Sequence, residues 1–323
     1  VCCCMIHENV RNALEPLAKA QNLDVIKIGG DMHLNFTCDK PTDSCFNNLC
    51  GTCKDGKGFE QKIGIIESPN DEISWVEWRK PDKVSYASVE KITRNGTKSE
   101  LICEIVKMRA KFTAHVQVKR HQSKKFYELI EKSKEVESKH AVLQVDWAEN
   151  YKCFSQNETQ AAHFGQNQVS IFTACLWQET PTSFAIVSDS LDHTKTSVIP
   201  NIDKLLDNIN ENVEVLHIFS DNAGSQFKNK HTMASLMSLE KKHKITITWN
   251  YFASMHGKGV VDGIGASVKR LASKKVKSEA MMIKNAEDFS KATESCEINV
   301  MHLSDDEKAK RNQDINIKKI IES

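Results

Sequence analysis

The sequence predicts a mixed α/β protein in which one five-stranded sheet with flanking helices follows a small Cys-rich module and a helical connector. Three observations predict it. Between about residues 139 and 290, short apolar runs alternate with stretches of helical periodicity. Ahead of them, Leu101, Ile102, Ile105, Met108, Phe112 and Val116 recur at three- and four-residue intervals. Seven of the eleven cysteines fall within the first 53 residues, a bias that calls for a local cause.

Residues 1–60 hold one helical stretch, ENVRNALEPLAKA, and a loop-like segment, TCDKPTDSCFNNLCGTCKDGKG, whose Pro, Asn, Asp and Gly content cannot build a core alone. Residues 61–138 read as a helical connector, with SKKFYELIEKSKEV repeating the helical style. In 139–290, HAVLQVDW is a buried strand, and QVSIFTACLW and TSFAIVSDS are β-rich runs separated by QETP, as in a hairpin. A helix at about 195–210, the strand VEVLHIFSD, the helix GSQFKNKHTMASLMSLEKKH, the strand KITITWNYF and the helix GVVDGIGASVKRLASKK complete the sheet layer. Residues 291–323 are expected to form a charged tail.

The chain has 323 residues, 40% of them hydrophobic and 27% charged, so it is long enough to bury a sizeable core. It has no run of about 18 apolar residues and no signal-peptide pattern, so the expectation is a soluble, intracellular protein with no membrane partner. The net charge of +1 hides two basic clusters, Lys107 to Lys125 and Lys269 to Lys277. Each is either a solvated helix face or a nucleic-acid contact. The chain begins with Val inside its Cys cluster, as expected of a fragment of a longer protein.

Three aspartates stand where sites assemble in α/β sheets. Asp146 and Asp221 end apolar strands, and Asp262 sits near the start of the helix after the fifth strand. Carboxylates brought together repel and are costly to desolvate, so a bound cation is the natural partner, and oxygen-only ligands favour Mg²⁺ or Mn²⁺ over Zn²⁺. Two such ions suit phosphodiester chemistry, activating an attacking water or hydroxyl and stabilising the leaving oxygen. Asp146 is expected to bridge both ions, with Asp221 and Asp262 each completing one coordination sphere.

HIFSDNAGSQF resembles the block around the second acidic residue of retroviral integrases, and HGKGVVDGIGASVKR resembles their final block, a glycine-rich turn leading to an acidic residue and a basic helix. The spacing of 40 residues between Asp221 and Asp262 suits the DDE/D superfamily. Residues 1–275 also resemble transposon-derived animal proteins through blocks at Asp146 to Tyr151, Ser220 to Asn229 and His256 to Gly265. The resemblance implies a ribonuclease H-like fold, a DDE/D-type transposase, cleavage of DNA with strand transfer, transposon ends or target DNA as partner, a homo-oligomer and a nuclear location. The third acid departs from Glu to the shorter Asp262, so its helix must come closer, which Gly263 and Gly265 would permit. A catalytically silent DNA- or protein-binding descendant, and a ribonuclease H-like nuclease, are the competing readings.

Around the triad, the glycines flanking Lys258 let backbone approach a phosphate, and His256 can assist proton transfer or hold a strand; an ordinary glycine turn is the alternative. Lys269 lies two helical turns after Asp262 on the same face and is a further candidate for DNA contact. Glu149 and Asn150 either orient metal-bound water or form a turn, and Asn222, Gln226 and Lys228 are candidates to line the cleft. Trp147, Trp177, Trp249 and Phe252 read as core.

Cys2, Cys4 and His7 precede Cys38, Cys45, Cys50 and Cys53, thiolates and imidazole at spacings that fit structural Zn²⁺. Seven candidates exceed the four ligands of one site. Either two sites form with a partner missing upstream, or some residues are bystanders. Cys3 has no role in this reading, and Cys103, Cys153, Cys175 and Cys296 read as free thiols.

Overall fold

A computed structural model describes residues 4–81, 89–156, 166–253, 257 and 259–315. The chain divides into two compact units, Val1–Gln122 and Ser123–Ser323.

In the first unit, α1 (Met5–Ala20) buries Val10, Ala13, Leu14 and Leu17, apolar positions at helical spacing, against a core that includes Phe36, Phe59, Leu101, Ile105 and Phe112. Short helix α2 (Asp43–Phe46) lies within the Cys-rich segment and carries Cys45, α3 (Lys57–Ile63) closes that segment, and α4 (Lys98–Ser133) begins in this unit. The stretch expected as a helical connector differs from that expectation. It opens with an antiparallel pair, β1 (Glu72–Arg79) and β2 (Glu90–Thr97), in register from Glu72↔Thr97 to Arg79↔Glu90. The reason is legible in EISWVEWR, where Ile73 and Trp75 alternate with polar residues and both pack on the unit's core.

The second unit is built on β3 (His140–Lys152), β4 (Gln168–Trp177), β5 (Thr182–Ser188), α5 (Lys195–Leu206), β6 (Val215–Ser220), α6 (Lys230–His243), β7 (Thr246–Tyr251), α7 (Val260–Glu279), α8 (Ala286–Ala292), β8 (Asn299–His302) and α9 (Asp305–Asp314). Among the described residues its sheet has six strands rather than the expected five, in the order β7-β6-β3-β4-β5-β8. β3, β4 and β5 form an antiparallel meander; β6 runs parallel to β3, and β7 parallel to β6.

The sixth strand comes from the segment expected as a charged tail. β8 pairs parallel with β5. Its few apolar residues are enough to dock it: Leu303 and Ile315 are both 1% exposed in the sheet core, and Ser304 caps α9 by accepting from Glu307 N–H at 3.2 Å.

Period-two alternation sorts the two faces of the sheet. Leu143, Val145, Phe172, Leu216 and Ile218 face a core completed by α5 and α6. Val142, Ile171, Cys175 and Phe219 face the other core, completed by the last turns of α4 with α7 and α8. Asp146 and Asp221 share the parity of Val142 and Phe219, so strand geometry assigns both to the α7 face.

Candidate functional site

β3 and β6 are adjacent parallel strands whose last paired residues are Gln144 and Phe219. Asp146 and Asp221 each lie two residues further on, so they leave the paired region level with each other on strands spaced about 4.8 Å apart. Asp221 ends its strand, as expected. Asp146 does not: β3 continues against β4 to Lys152, with Asp146 opposite Thr173 and a register shift between Ala148 and Tyr151. Asp146 is a strand end only towards β6.

The first turn of α7 supplies Asp262. Asp146, Thr173, Asp262, Ala266 and Lys269 line one cleft of about 210 Å³ with Trp147, Ala148, Glu149 and Val261. Asp262 and Lys269 thus share a helix face as their spacing predicts. Of the two glycines expected to allow close approach, only Gly265 does so. A Cβ on it would lie 2.7 Å from Ala148 Cβ and 3.4 Å from Thr173 Cγ2, whereas Gly263 has nothing within 4 Å. Gly257 has a similar role beside Asp221, since a Cβ there would lie 3.3 Å from Asp221 Cβ.

Each aspartate is oriented by one backbone N–H. Trp147 donates to Asp146 Oδ1 at 2.8 Å, Ala223 to Asp221 Oδ1 at 3.1 Å, and Gly259 to Asp262 Oδ2 at 2.9 Å. Burial pushes the Asp146 carboxyl up to about 6; the Trp147 N–H acts in the opposite direction, and repulsion from Asp221 and Asp262 adds to the rise. The charged form of Asp146 is therefore poorly compensated by protein groups, which is the electrostatic condition a divalent cation relieves. The carboxylate oxygens are nevertheless not drawn into a group as tight as the thiol cluster described below.

Lys269 is tied at the rim, donating to the Glu149 carbonyl at 3.1 Å, with the exposed Glu149 carboxylate 4.0 Å away. Asn150 donates across the hairpin to Gln168 Oε1 at 3.1 Å, a structural contact. Lys228 lies over the Tyr251 ring, 5.4 Å from its centroid, and neither it nor Asn222 or Gln226 lines the cleft. His256 and Lys258 lie outside the described residues. Trp177 and Phe252 are core residues, while Trp147, partly buried, stacks on His193 at 4.1 Å.

Sequence reading missed Gln144. It is buried in β3, and its Nε2 donates to the Gly257 carbonyl at 3.1 Å, tying the glycine-rich turn to the strand that carries Asp146. A polar residue inside the apolar run HAVLQVDW was the available signal.

The cysteines resolve into groups. The sulfurs of Cys38, Cys45, Cys50 and Cys53 all lie within 4.8 Å of one another, with Cys38 and Cys50 at 3.8 Å. Four thiols so placed could hold a metal such as Zn²⁺. Backbone N–H groups of Cys53 and Thr52 bring the Cys50 thiol down to about 6, whereas burial and then the neighbouring thiols push Cys53 up to about 12. Cys45, like Cys50, is shifted toward the thiolate, whereas Cys38, like Cys53, is shifted away from it, a conflict that a divalent cation would remove by letting all four ionise. Cys4 and His7 belong to a different group, with His115, which sequence reading did not select. The seven candidates are therefore not one ligand set. Cys2 lies outside the described residues. Cys153 and Cys175 are buried free thiols, Cys296 is partly buried, and Cys103 is exposed.

No helix among the described residues is long and apolar enough to cross a membrane. None of the curated proteins matches the chain. The model of one family, described as "Domain of unknown function (DUF8701)", matches residues 122–322, more than half of the chain and nearly all of the unit that carries the three aspartates. The chain belongs to the DUF8701 family.

Proposed function

We propose that the second unit is a ribonuclease H-like catalytic core of the DDE/D transposase type, transposon-derived, which cleaves DNA phosphodiester bonds with Mg²⁺ or Mn²⁺ and carries out strand transfer. The observation that carries this reading is the level placement of Asp146 and Asp221 on adjacent parallel strands, on the face where α7 brings Asp262 into the Asp146 cleft. The sheet that carries them is an antiparallel three-strand meander extended on its first strand by two parallel strands.

Asp146, Asp221 and Asp262 would hold the ions, which supply a charge-stabilised nucleophile and leaving oxygen when bound. The chain's own contribution is to fix those carboxylates through backbone N–H groups, to keep the glycine-rich turn against β3 through Gln144, and to present Lys269 at the rim where a phosphate approaches. The four-thiol group of the first unit serves as a structural zinc site. DNA is the partner, the protein works as a multimer by analogy, and the nucleus is its place of action.

One observation favours a second reading, a DNA- or protein-binding descendant without cleavage. Asp262 is engaged as the cap of its own helix at Gly259 N–H, and it is a methylene shorter than Glu. Cleavage of supercoiled DNA in Mn²⁺ by the full chain and by Asp146→Ala, Asp221→Ala and Asp262→Ala decides between them. The first reading expects losses of about a hundredfold or more in each variant. Equal activity in all four proteins would sink the site, and Mn²⁺ binding without cleavage would favour the second reading.

A further inference from the structure

The structure places a thiol and two imidazoles of the first unit around one point. Cys4 is the N-cap of α1 and 3% exposed; His7, one turn further on, is buried on the same side of the helix; His115 comes from α4. Cys4 Sγ lies 3.0 Å from His7 Nδ1 and 3.4 Å from His115 Nε2, and all three atoms fall within 4.8 Å of one another. The two rings meet at 68° with centroids 5.2 Å apart, and Phe112 packs edge-on against His7, also at 5.2 Å. Unlike a stacked pair, the inclined rings direct one nitrogen each toward the same sulfur.

We infer that Cys4, His7 and His115 form a second zinc site, separate in ligands from the four-thiol group and independent of the DNA-cleavage proposal. A tetrahedral ion with Zn–S of about 2.3 Å and Zn–N of about 2.0 Å sets S···N edges of about 3.5 Å, close to the His115 distance and reached from the His7 distance by a small opening of the pair. One thiolate with two neutral imidazoles is a donor set for Zn²⁺, and the absence of oxygen ligands among the three disfavours Mg²⁺ and Ca²⁺. The fourth position falls to a donor other than these three. Such an ion would join the first turn of α1 to α4 across more than a hundred residues of chain, whereas the four thiols close a short local loop.

Metal content of the full chain purified with zinc, measured by inductively coupled plasma mass spectrometry, tests this. Two zinc ions per chain are expected, falling by one in His115→Ala, by one in Cys50→Ser and to none in the double variant. A single zinc in the unsubstituted protein, unaffected by His115→Ala but lost in Cys50→Ser, overturns the site. Should His115→Ala fail to fold, His115→Cys retains a donor. It is expected to keep the second ion and, loaded with Co²⁺, to show stronger thiolate-to-cobalt absorption than the unsubstituted protein. A Co²⁺ spectrum unchanged by that substitution overturns the site equally.

Discussion

Two carboxylates in the second unit, one buried and one partly buried, have opposite surroundings. Asp203, on α5, is fully buried, yet Lys242 Nζ donates to it at 2.7 Å, Arg311 Nη1 at 2.6 Å, and His243 Nε2 lies 2.8 Å away. Burial would raise its carboxyl, but these hydrogen bonds outweigh it and hold the group down at about 2. Asp146, on β3, has one backbone N–H and two other carboxylates for neighbours, and its carboxyl rises to about 6. The first arrangement is complete within the protein and fastens α6 and α9 to α5. The second leaves the charged form of Asp146 with a single protein donor, which is the condition the proposed cation would relieve. The contrast separates a charge satisfied within the framework from one that the framework leaves poorly compensated, as the proposed metal site requires.

That contrast breaks most visibly at Asp203. Asp203→Ala leaves Arg311 and Lys242 without their buried partner, and a loss of about 3–5 kcal/mol in urea unfolding is expected, with Mn²⁺ affinity of the folded protein unchanged. A loss under 1 kcal/mol would remove the framework role.

At Asp146 the sign reverses. Its folded-state carboxyl lies above the unfolded value, so the ionised group opposes folding: the full cost applies above about pH 6 and disappears as pH falls towards 4. The cost is roughly 3 kcal/mol by the linkage relation, an upper figure for a partly buried group. Asp146→Asn is therefore expected to stabilise the protein at pH 7 without added divalent ion, with a gain that shrinks at pH 5. Mn²⁺ should raise the melting temperature of the unsubstituted protein and not that of the variant. The Asp203 contribution acts in a separate window, being present above about pH 4 and lost as pH falls through 2. Melting curves from below pH 2 up to pH 7 resolve both, and a variant no more stable at pH 7 than the original would contradict the account of Asp146.

Smaller effects probe how the cleft is held. Gly265→Ala drives a methyl into Ala148 and is expected to cost about 1–3 kcal/mol and to weaken Mn²⁺ binding, because α7 must withdraw. The matching change Gly263→Ala meets open space and should be neutral or slightly stabilising on a helix. Equal effects at the two positions would refute the close approach. Gln144→Leu removes the hydrogen bond to Gly257 O at a cost of about 1 kcal/mol. Its readout is a several-fold loss of Mn²⁺ affinity in calorimetric titration beside that small loss of stability, whereas a change in unfolding midpoint alone would make Gln144 merely structural.

The parts of the molecule legible in the sequence are those set by neighbours along the chain. Alternation and apolar runs marked the strands from His140 to Tyr251, helical spacing put Asp262 and Lys269 on one face, and C-x-x-C at Cys50 and Cys53 marked a thiol group whose members lie within sixteen positions, 38 to 53. What only the tertiary structure decided depends on residues far apart. The parallel register of β3 and β6 sets Asp146 level with Asp221; Gly265 matters and Gly263 does not, because only one of them meets β3; His115 joins Cys4 and His7 from a distant helix; and β8 with α9 docks because Leu303, Ile315 and Arg311 find partners in the sheet and on α5. Periodicity records which face a residue takes on its own element. Register, close approach and the field at a buried carboxylate are properties of pairs of elements, and they exist only once the sheet and its helices have packed.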